Sequence, residues 1–334
     1  MRTLWRAAVA AVCLAVSAAA AQELRLAFSP NITHAQALYA KATGEFEKSI
    51  GTKIKWSAFN AGPTAIESIF ANAIDAAYIG PGPTVNGYIK SRGLEFVIVA
   101  GAASGGAGLV VRKDSGIKSD KDFSGKTIAT PQLGNTQDVA ARVWFLEKGY
   151  KFKEKGGSLT LLPLTNPDQL LMFQKKQIDG AWTVEPWLSR LELEAGGKLF
   201  LDEGALWPEG KYVTTHLIVS RDLFDKNPQL VKKLVAAHVA VTKKINEDKD
   251  AAGKILNDQL KVETGKRLPP EVISRALSRV EFTWDPVQSS LRQAAEAAFK
   301  IGFIRTPPKL DAIYALGFLN QVLKQQSLPV IAAK

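Results

Sequence analysis

The segment PTAIESIFANAIDAAY, residues 63–78, returns as PDQLLMFQKKQIDGAW, residues 167–182, at a constant offset of 104 residues and without a gap. Proline opens both copies, apolar residues occupy matching positions at helical spacing, and both copies end in Ile-Asp-x-Ala-aromatic. Each copy predicts an amphipathic helix that leads into a buried strand. Two copies of one unit, so far apart in the chain, predict two lobes of related topology.

Around this unit the chain alternates short apolar runs with helical patterns, the βαβα order that builds a parallel sheet covered on both faces. Strands are predicted over 24–28, 53–59, 75–79 and 96–100, and a helix after the first strand places Leu38, Ala42, Phe46 and Ile50 on one face. The predicted fold class is therefore α/β. The chain after residue 221 has helical patterns, and these helices are expected to pack back on the first lobe.

Two lobes require the chain to cross between them twice. The apolar runs 109–112 and 217–220 are the predicted crossings. We expect a first lobe over 22–112, a second lobe over 113–216, and a return segment with C-terminal helices over 217–334 that completes the first lobe. A cleft lies between lobes joined in this way, and a ligand bound there would select the closed state.

The first residues have the pattern of an export signal. Arg2 and Arg6 precede an apolar run over 7–20 that ends in small residues, which predicts a cleaved signal peptide over 1–21 and a periplasmic protein. An N-terminal membrane anchor is the less favoured interpretation, because the run is short for a bilayer. Cys13, the only cysteine, lies in that run, so the exported chain would lack disulfides and thiolate chemistry.

Charge and motifs exclude several function classes. The formal net charge is +11, but the lysines are dispersed among acids, so nucleic acid is not an expected partner. The chain has no Gly-x-Ser-x-Gly elbow, no His-Glu-x-x-His pair and no nucleotide-binding glycine motif. We therefore expect no enzymatic activity, no metal and no cofactor. His238 lies in a Lys- and Val-rich helical segment and is predicted at the surface.

Four loops that follow predicted strands and enter helices are rich in Asn, Thr and Gly, and they contain no Lys or Arg. Free backbone N–H groups and helix dipoles at such turns favour an anion, and neutral dipoles suit a single negative charge. The alternative is that these side chains only cap helices. The candidate residues for the anionic group are Asn31, Thr33, His34, Asn60, Gly62, Thr64, Pro83, Thr84, Asn135 and Thr136.

Three further residues are predicted to complete the site. Trp182 would pack on an apolar ligand tail, or would be a core residue. Glu185 and His216 would close the far side of the site. Glu185 could meet an ammonium group of the ligand, or it could form a salt bridge or a helix cap. A capping or supporting role is equally open for His34 and His216.

At these residues the chain resembles the periplasmic substrate-binding proteins of the aliphatic sulfonate, taurine and nitrate transporters. The resemblance implies a two-lobe type II periplasmic binding fold, a monomer that carries its ligand between the lobes, and permease subunits of an ABC importer as partners. It extends in order over the chain after residue 21. The motifs that carry it are NITHAQAL (31–38), GPTAIE (62–67), YIGPGP (78–83), GKTIATPQLGNT (125–136) and WTVEPW (182–187).

The resemblance does not decide the ligand, because relatives with similar motifs bind sulfonates, taurine, nitrate and other small molecules. An alkanesulfonate or taurine is favoured, with nitrate or a thiamine-pyrimidine-like molecule as alternatives. The same fold also resembles thiamine pyrimidine synthase, but that enzyme uses a cysteine-rich iron site, and no cysteine follows Cys13. A sensor that docks on a membrane kinase fits the sequence as well as a transport protein does.

Overall fold

The computed structural model describes residues 23–332, so the predicted signal peptide over 1–21 lies outside the described residues. The strands are β1 (Leu24–Phe28), β2 (Ile54–Ala58), β3 (Ala76–Ile79), β4 (Phe96–Gly105), β5 (Ala107–Arg112), β6 (Thr127–Thr130), β7 (Thr160–Pro163), β8 (Gly180–Val184), β9 (Gly197–Asp202), β10 (Val213–Ser220) and β11 (Val280–Phe282). The helices are α1 (Ala35–Thr43), α2 (Glu45–Ile50), α3 (Gly62–Phe70), α4 (Pro81–Lys90), α5 (Thr136–Glu147), α6 (Asn166–Gln174), α7 (Trp187–Leu193), α8 (Arg221–Lys226), α9 (Pro228–Glu247), α10 (Lys249–Thr264), α11 (Pro270–Ser278), α12 (Gln288–Lys300) and α13 (Gly317–Gln325). Within this described part, no helix has the length and apolar character needed to cross a membrane.

The strands form two sheets. Sheet 1 has the order β11-β4-β10-β3-β1-β2, and sheet 2 has the order β7-β6-β8-β5-β9. In sheet 1, β1 pairs in parallel with β2 and β3, and in sheet 2, β6 pairs in parallel with β7 and β8. Helices connect these parallel strands, as parallel pairing requires. The α/β class and the two-lobe architecture predicted from the sequence are confirmed.

The internal repeat corresponds to the same unit in each sheet. In the first copy α3 leads into β3, which pairs with β1, and in the second copy α6 leads into β8, which pairs with β6. Each helix carries its proline in the first turn, where the missing N–H and the fixed φ of proline are favourable. Both strands are buried along their whole length, as their apolar sequences predicted.

The chain passes from sheet 1 to sheet 2 at two glycines. β4 ends at Gly105 and β5 starts at Ala107, and Gly105 and Gly106 have φ values of 78° and 73°. Only glycine adopts this left-handed region without strain. A Cβ on Gly106 would also lie 2.5 Å from Val280 Cγ2, so the crossing is closely packed.

The observed crossings lie a few residues before those predicted. All of β5 belongs to sheet 2, so the run 109–112 lies after the outward crossing, and all of β10 belongs to sheet 1, so the return occurs within 203–212. A buried strand has the same apolar side-chain pattern in whichever sheet it lies. The sequence therefore could not show where the chain leaves one sheet for the other. The lobe bounds at residues 112 and 216 stay a prediction.

C-terminal helices cover one face of sheet 1. α9 packs on α2 and α13, and α10 packs on α1. Leu234, Val235, Leu256, Val272 and Leu323 are buried in the core that these helices share with the sheet. The predicted packing of these helices on lobe 1 is confirmed. α11 and α12 also contact α7 and α5, so this part of the chain touches both halves of the molecule.

Two local predictions differ from the structure. The helix predicted through Leu38 and Ile50 is broken at Gly44, whose φ of 67° ends α1, and the break leaves Ala42 exposed. His238 was predicted at the surface, but it is fully buried in α9, where its Nδ1 lies 2.8 Å from the hydroxyl of Tyr78. The lysines of α9 lie on its other face, so the local composition misplaced the histidine.

Candidate functional site

A small polar cavity lies between the two sheets, with a volume of about 30 Å³. Its walls come from the segments that end β1, β2, β3, β6, β7 and β8, and from the start of β10. The carboxyl ends of neighbouring parallel strands meet at one edge of a sheet, which brings these segments together. The polar residues of the walls are Ser29, Asn31, Thr33, His34, Asn60, Asn135, Thr136, Gln137, Asn166 and Thr214.

Four helices begin at the polar cavity. Gly62 and Asn166 are the first residues of α3 and α6, Thr136 is the first of α5, Gly80 directly precedes α4, and all four residues line the cavity. The N-terminus of a helix carries a partial positive charge and presents unsatisfied N–H groups. Four such termini around one cavity favour a bound anion.

The residues at these helix starts do not behave as ordinary caps. Ala61, Gly80 and Asn135 precede α3, α4 and α5, and none of the three forms a side-chain cap hydrogen bond. The fourth helix, α6, is capped by Thr165, and α9, away from the cavity, is capped by Asn227. The first turns of α3 and α5 therefore keep the N–H groups that a side-chain cap would satisfy. In α4, residues 81 and 83 are prolines without an N–H, and the Gly82 N–H donates to Thr136 Oγ1.

The cavity walls carry no charged side chain at neutral pH. No Asp, Glu, Lys or Arg lines the cavity. Burial lowers the pKa of His34 to about 3, and Nδ1 of this residue accepts a hydrogen bond from the Ser29 N–H at 3.1 Å, so the ring is neutral. The hydroxyl of Thr214 is buried without a hydrogen-bond partner among residues 23–332. The cavity thus offers neutral donors, which suit a single negative charge.

Contacts across the cavity join the two halves. The Gly82 N–H donates to Thr136 Oγ1 at 3.1 Å, and the Trp187 Nε1–H donates to Asn31 Oδ1 at 2.9 Å. A Cβ on Gly82 would lie 2.9 Å from the Cα of Thr136, a backbone atom that cannot rotate away. Glycine is therefore required for the two halves to approach this closely.

Seven of the predicted site residues line the polar cavity together: Asn31, Thr33, His34, Asn60, Gly62, Asn135 and Thr136. Asn31 also bridges to α7, as described above. The other six predicted residues lie elsewhere, and the reasons differ.

Three of those six lie in the first turns of helices but face away from the cavity. Thr64 is exposed, and its hydroxyl donates to Gln132 Oε1 at 3.3 Å. Thr84 is fully buried, and its hydroxyl donates to the Gly80 carbonyl at 2.8 Å. Pro83 packs so closely on Gly62 that a Cβ there would lie 2.4 Å from its Cγ. Only one face of each first turn can reach the cavity.

Trp182 and His216 lie in strands. Trp182 is fully buried in the core beside sheet 2, and its Nε1–H donates to Glu203 Oε2 at 2.8 Å, so it is a core residue rather than a wall for a ligand tail. His216 was predicted to close the far side of the site, but it lies within β10 with no exposed surface, and its Nε2 is 3.2 Å from the Pro286 carbonyl. Burial lowers the pKa of His216 to about 4.

Glu185 performs the two structural roles that the sequence left open. Its carboxylate accepts from the N–H and the hydroxyl of Ser189 in the first turn of α7, at 3.0 and 2.8 Å. It also pairs with Arg279 at 3.2 Å. Burial raises the pKa of Glu185, while the bonds to Ser189 and Arg279 oppose that rise. The carboxylate is thus occupied by protein groups and does not line the polar cavity.

Ser29, Gln137, Asn166 and Thr214 line the cavity but were not among the predicted residues. The repeat contained a signal for one of them, since Asn166 is the counterpart of Gly62 at the offset of 104 residues. Thr214 has no such signal, because it comes from an antiparallel strand of distant sequence. Among residues 23–332, no group of three or more His, Cys, Asp or Glu side chains could hold a metal ion.

Known proteins are similar to this chain in sequence or in fold. The taurine-binding periplasmic protein of Escherichia coli (strain K12) is 24% identical over 222 residues, which span 66% of each chain. The alkanesulfonate-binding protein SsuA from Xanthomonas axonopodis pv. citri, solved bound to MOPS, has a TM-score of 0.70 and 21% identity over 87% of this chain and 96% of its own. The periplasmic nitrate-binding protein NrtA from Synechocystis PCC 6803 has a TM-score of 0.77 and 15% identity over 92% of this chain and 89% of its own.

These similarities confirm the resemblance that the sequence motifs indicated. The two solved structures are an alkanesulfonate-binding protein and a periplasmic nitrate-binding protein, and their likeness to this chain shows the shared fold. Residues 17–257, well over half of the chain, match the sequence model of one protein family. The chain belongs to the NMT1-like family.

Proposed function

We propose that this protein is the substrate-binding component of an ABC importer and that it captures a small organic anion, an alkanesulfonate or taurine, between its two lobes. One observation carries the proposal: four helices begin at a cavity whose walls have no charged side chain. Backbone N–H groups and hydroxyls would hold the anionic head. The ligand would be released unchanged to permease subunits in the membrane, and the protein would act as a monomer without a cofactor.

The names of related proteins support this proposal. The relatives described above are a taurine-binding periplasmic protein and an alkanesulfonate-binding protein. By analogy, this chain would be exported and would work in the periplasm. Its cavity walls have neither a carboxylate nor a cysteine, and His34 is held neutral, which favours capture over catalysis.

The volume of the polar cavity favours a second candidate, nitrate. A cavity needs roughly 10–15 Å³ to hold one water, so about 30 Å³ has room for a compact group only. A sulfonate head with a short chain, or a planar nitrate ion, meets this limit. A longer tail would require the two halves to separate.

A thermal-shift screen of the purified protein tests the proposal. The panel would contain ethanesulfonate, longer alkanesulfonates, taurine, nitrate, sulfate, acetate and a neutral pyrimidine. A compound at about 100 times its Kd adds roughly 2.7 kcal/mol of stability, which is readily measured as a rise in Tm. We expect short sulfonates or taurine to give the largest rise. Stabilisation by nitrate alone would select the second candidate, and stabilisation by the pyrimidine alone would refute the anion site.

A matched pair of variants tests where the anion binds. Asn135→Asp adds one negative charge to the wall of the polar cavity with almost no change of shape, at a position that also accepts Asp before a helix. Asn227→Asp makes the same change before α9, away from the cavity. We expect the first variant to weaken binding of the best panel anion at least tenfold and the second to leave it unchanged. Equal affinities in the two variants would place the anion elsewhere.

A further inference from the structure

A second cavity, which the proposed function does not use, lies between α4, α5 and α12 and the segment 203–207. Its volume is about 200 Å³, well above the roughly 10–15 Å³ that a cavity needs to hold one water. We name it the apolar cavity. Thr136 lines both cavities, so they are neighbours on either side of the contact between Thr136 and Gly82.

The walls of the apolar cavity are suited to a hydrophobic molecule. Aliphatic side chains from all three helices form most of the lining, for example Val85, Val143 and Ala294, and the rings of Trp144 and Trp207 complete it. Ligand sites in proteins combine such walls with a few polar groups that fix the orientation. The ionisable groups of this lining are two carboxylic acids, Glu147 and Glu203, and no Lys, Arg or His is among the lining residues.

Glu203 is the unusual group of this cavity. Its side chain is only 2% exposed, and it has no ion pair with any residue in the described part of the chain. Its one hydrogen bond in good geometry is the donation from Trp182 Nε1 at 2.8 Å. Burial raises its pKa to about 7, although the nearby Trp182 and Trp207 oppose the rise. The buried Nε1 of Trp207 itself has no partner in hydrogen-bonding geometry among residues 23–332.

A buried carboxylate without a cation is costly, and a cationic group beside it would offset most of that cost. No Lys, Arg or His among the lining residues of this cavity supplies that positive charge. The other walls are mainly apolar, and their neutral polar residues are Asn86, Thr136, Ser290 and Gln293. A molecule with an apolar body and one ammonium group matches both features.

We propose that the apolar cavity binds a small hydrophobic amine, with its ammonium group at Glu203 and its body against α5 and α12. This proposal does not depend on the ligand of the polar cavity. The walls come from α4 of the first half, α5 of the second half and α12. An amine held there therefore favours the closed arrangement of the two halves, since it binds only where these helices meet.

Calorimetry with two probes that share a phenylethyl body and carry opposite charges tests the proposal on the unaltered protein. The probes are 2-phenylethylamine and 3-phenylpropionate, and the fluorescence of Trp144 and Trp207, which line the cavity, reports on occupancy. We expect the amine to bind at least tenfold more tightly than the carboxylate. Equal affinities, or no binding of the amine, would overturn the proposal without any variant.

Three variants then place the amine. Glu203→Gln keeps an acceptor for Trp182 but removes the charge, and it should weaken amine binding at least tenfold. Ala294→Phe fills the cavity from α12 and should abolish binding, with Tm measured to show that the variant folds. Asn227→Asp, before α9 and in the lining of neither cavity, should change the affinity less than twofold. A Glu203→Gln protein with unchanged affinity would refute the assignment, even if Ala294→Phe did not fold.

Discussion

Replacing Glu203 by Gln should stabilise the protein by an amount that depends on pH. The side chain is buried, with Trp182 as its donor and no cationic partner in the described part of the chain. Gln has nearly the same shape and can still accept the hydrogen bond from Trp182 through its amide oxygen. The substitution therefore removes the titratable proton and leaves the packing in place.

The magnitude follows from linkage between protonation and folding. Burial raises the pKa of Glu203 from 4.5 to about 7. Below pH 4.5 the acid is protonated in both the folded and the unfolded state, so its titration does not change the free energy of unfolding there. As the pH rises from 4.5 to 7, the unfolded chain releases this proton and the folded chain keeps it, so the wild-type protein loses stability. At about 1.4 kcal/mol per pH unit, the accumulated loss is about 3 kcal/mol above pH 7.

Urea unfolding at pH 4.5, 6 and 8 measures this effect. We expect Glu203→Gln and wild type to have similar free energies of unfolding at pH 4.5, and the variant to be more stable by about 3 kcal/mol at pH 8. Glu209→Gln is the control, because it removes the same charge from an exposed side chain. A difference between Glu203→Gln and wild type that did not change with pH would refute the argument, and so would an equal gain in the control.

Three further predictions concern closure, the polar cavity and acid stability. Gly82→Ala should weaken binding of the best panel anion at least tenfold by calorimetry, because its Cβ would meet the Thr136 backbone, whereas Gly317→Ala, with nothing within 4 Å, should bind normally. Thr214→Val, which removes an unpaired buried hydroxyl from the polar cavity, should cost about 1 to 3 kcal/mol of binding, and Thr64→Val, outside the cavity, should cost almost nothing. Burial lowers the pKa of His238 from 6.5 to about 4, so wild type should lose stability as the pH falls through that interval, and His238→Gln should remove up to about 3 kcal/mol of this loss in urea unfolding.

The fold was largely predictable because its signals are local and repeated. The strand predicted over 24–28 is β1 without any change, and the repeat correctly placed a helix and a buried strand in each sheet. The sheet to which an apolar run belongs was not predictable. β5 and β10 are buried along almost their whole length, and a buried strand has this pattern in whichever sheet it lies. The break at Gly44 was missed because the apolar positions on either side keep helical spacing.

The site was predictable to the level of loops. Strand ends that enter helices were identified from Asn, Thr and Gly in the sequence, and seven of their residues line the polar cavity. Within those segments the sequence could not distinguish Thr33, which lines the cavity, from Thr84, whose hydroxyl donates to the Gly80 carbonyl just before its own helix. That difference depends on the direction of one side chain relative to the helix axis. The packing of the whole lobe sets this direction.

By itself, the sequence determined the α/β class, the duplicated unit and the uncharged loops, because hydrophobic periodicity and residue type are properties of short segments. Only the tertiary structure decided that Glu185 is held by Ser189 and Arg279, that Thr214 reaches the polar cavity, and that Glu203 lies beside the apolar cavity. Each of these contacts joins residues through the packing of separate elements. Burial and partners, which set the charge and chemistry of such groups, exist only once those elements have come together.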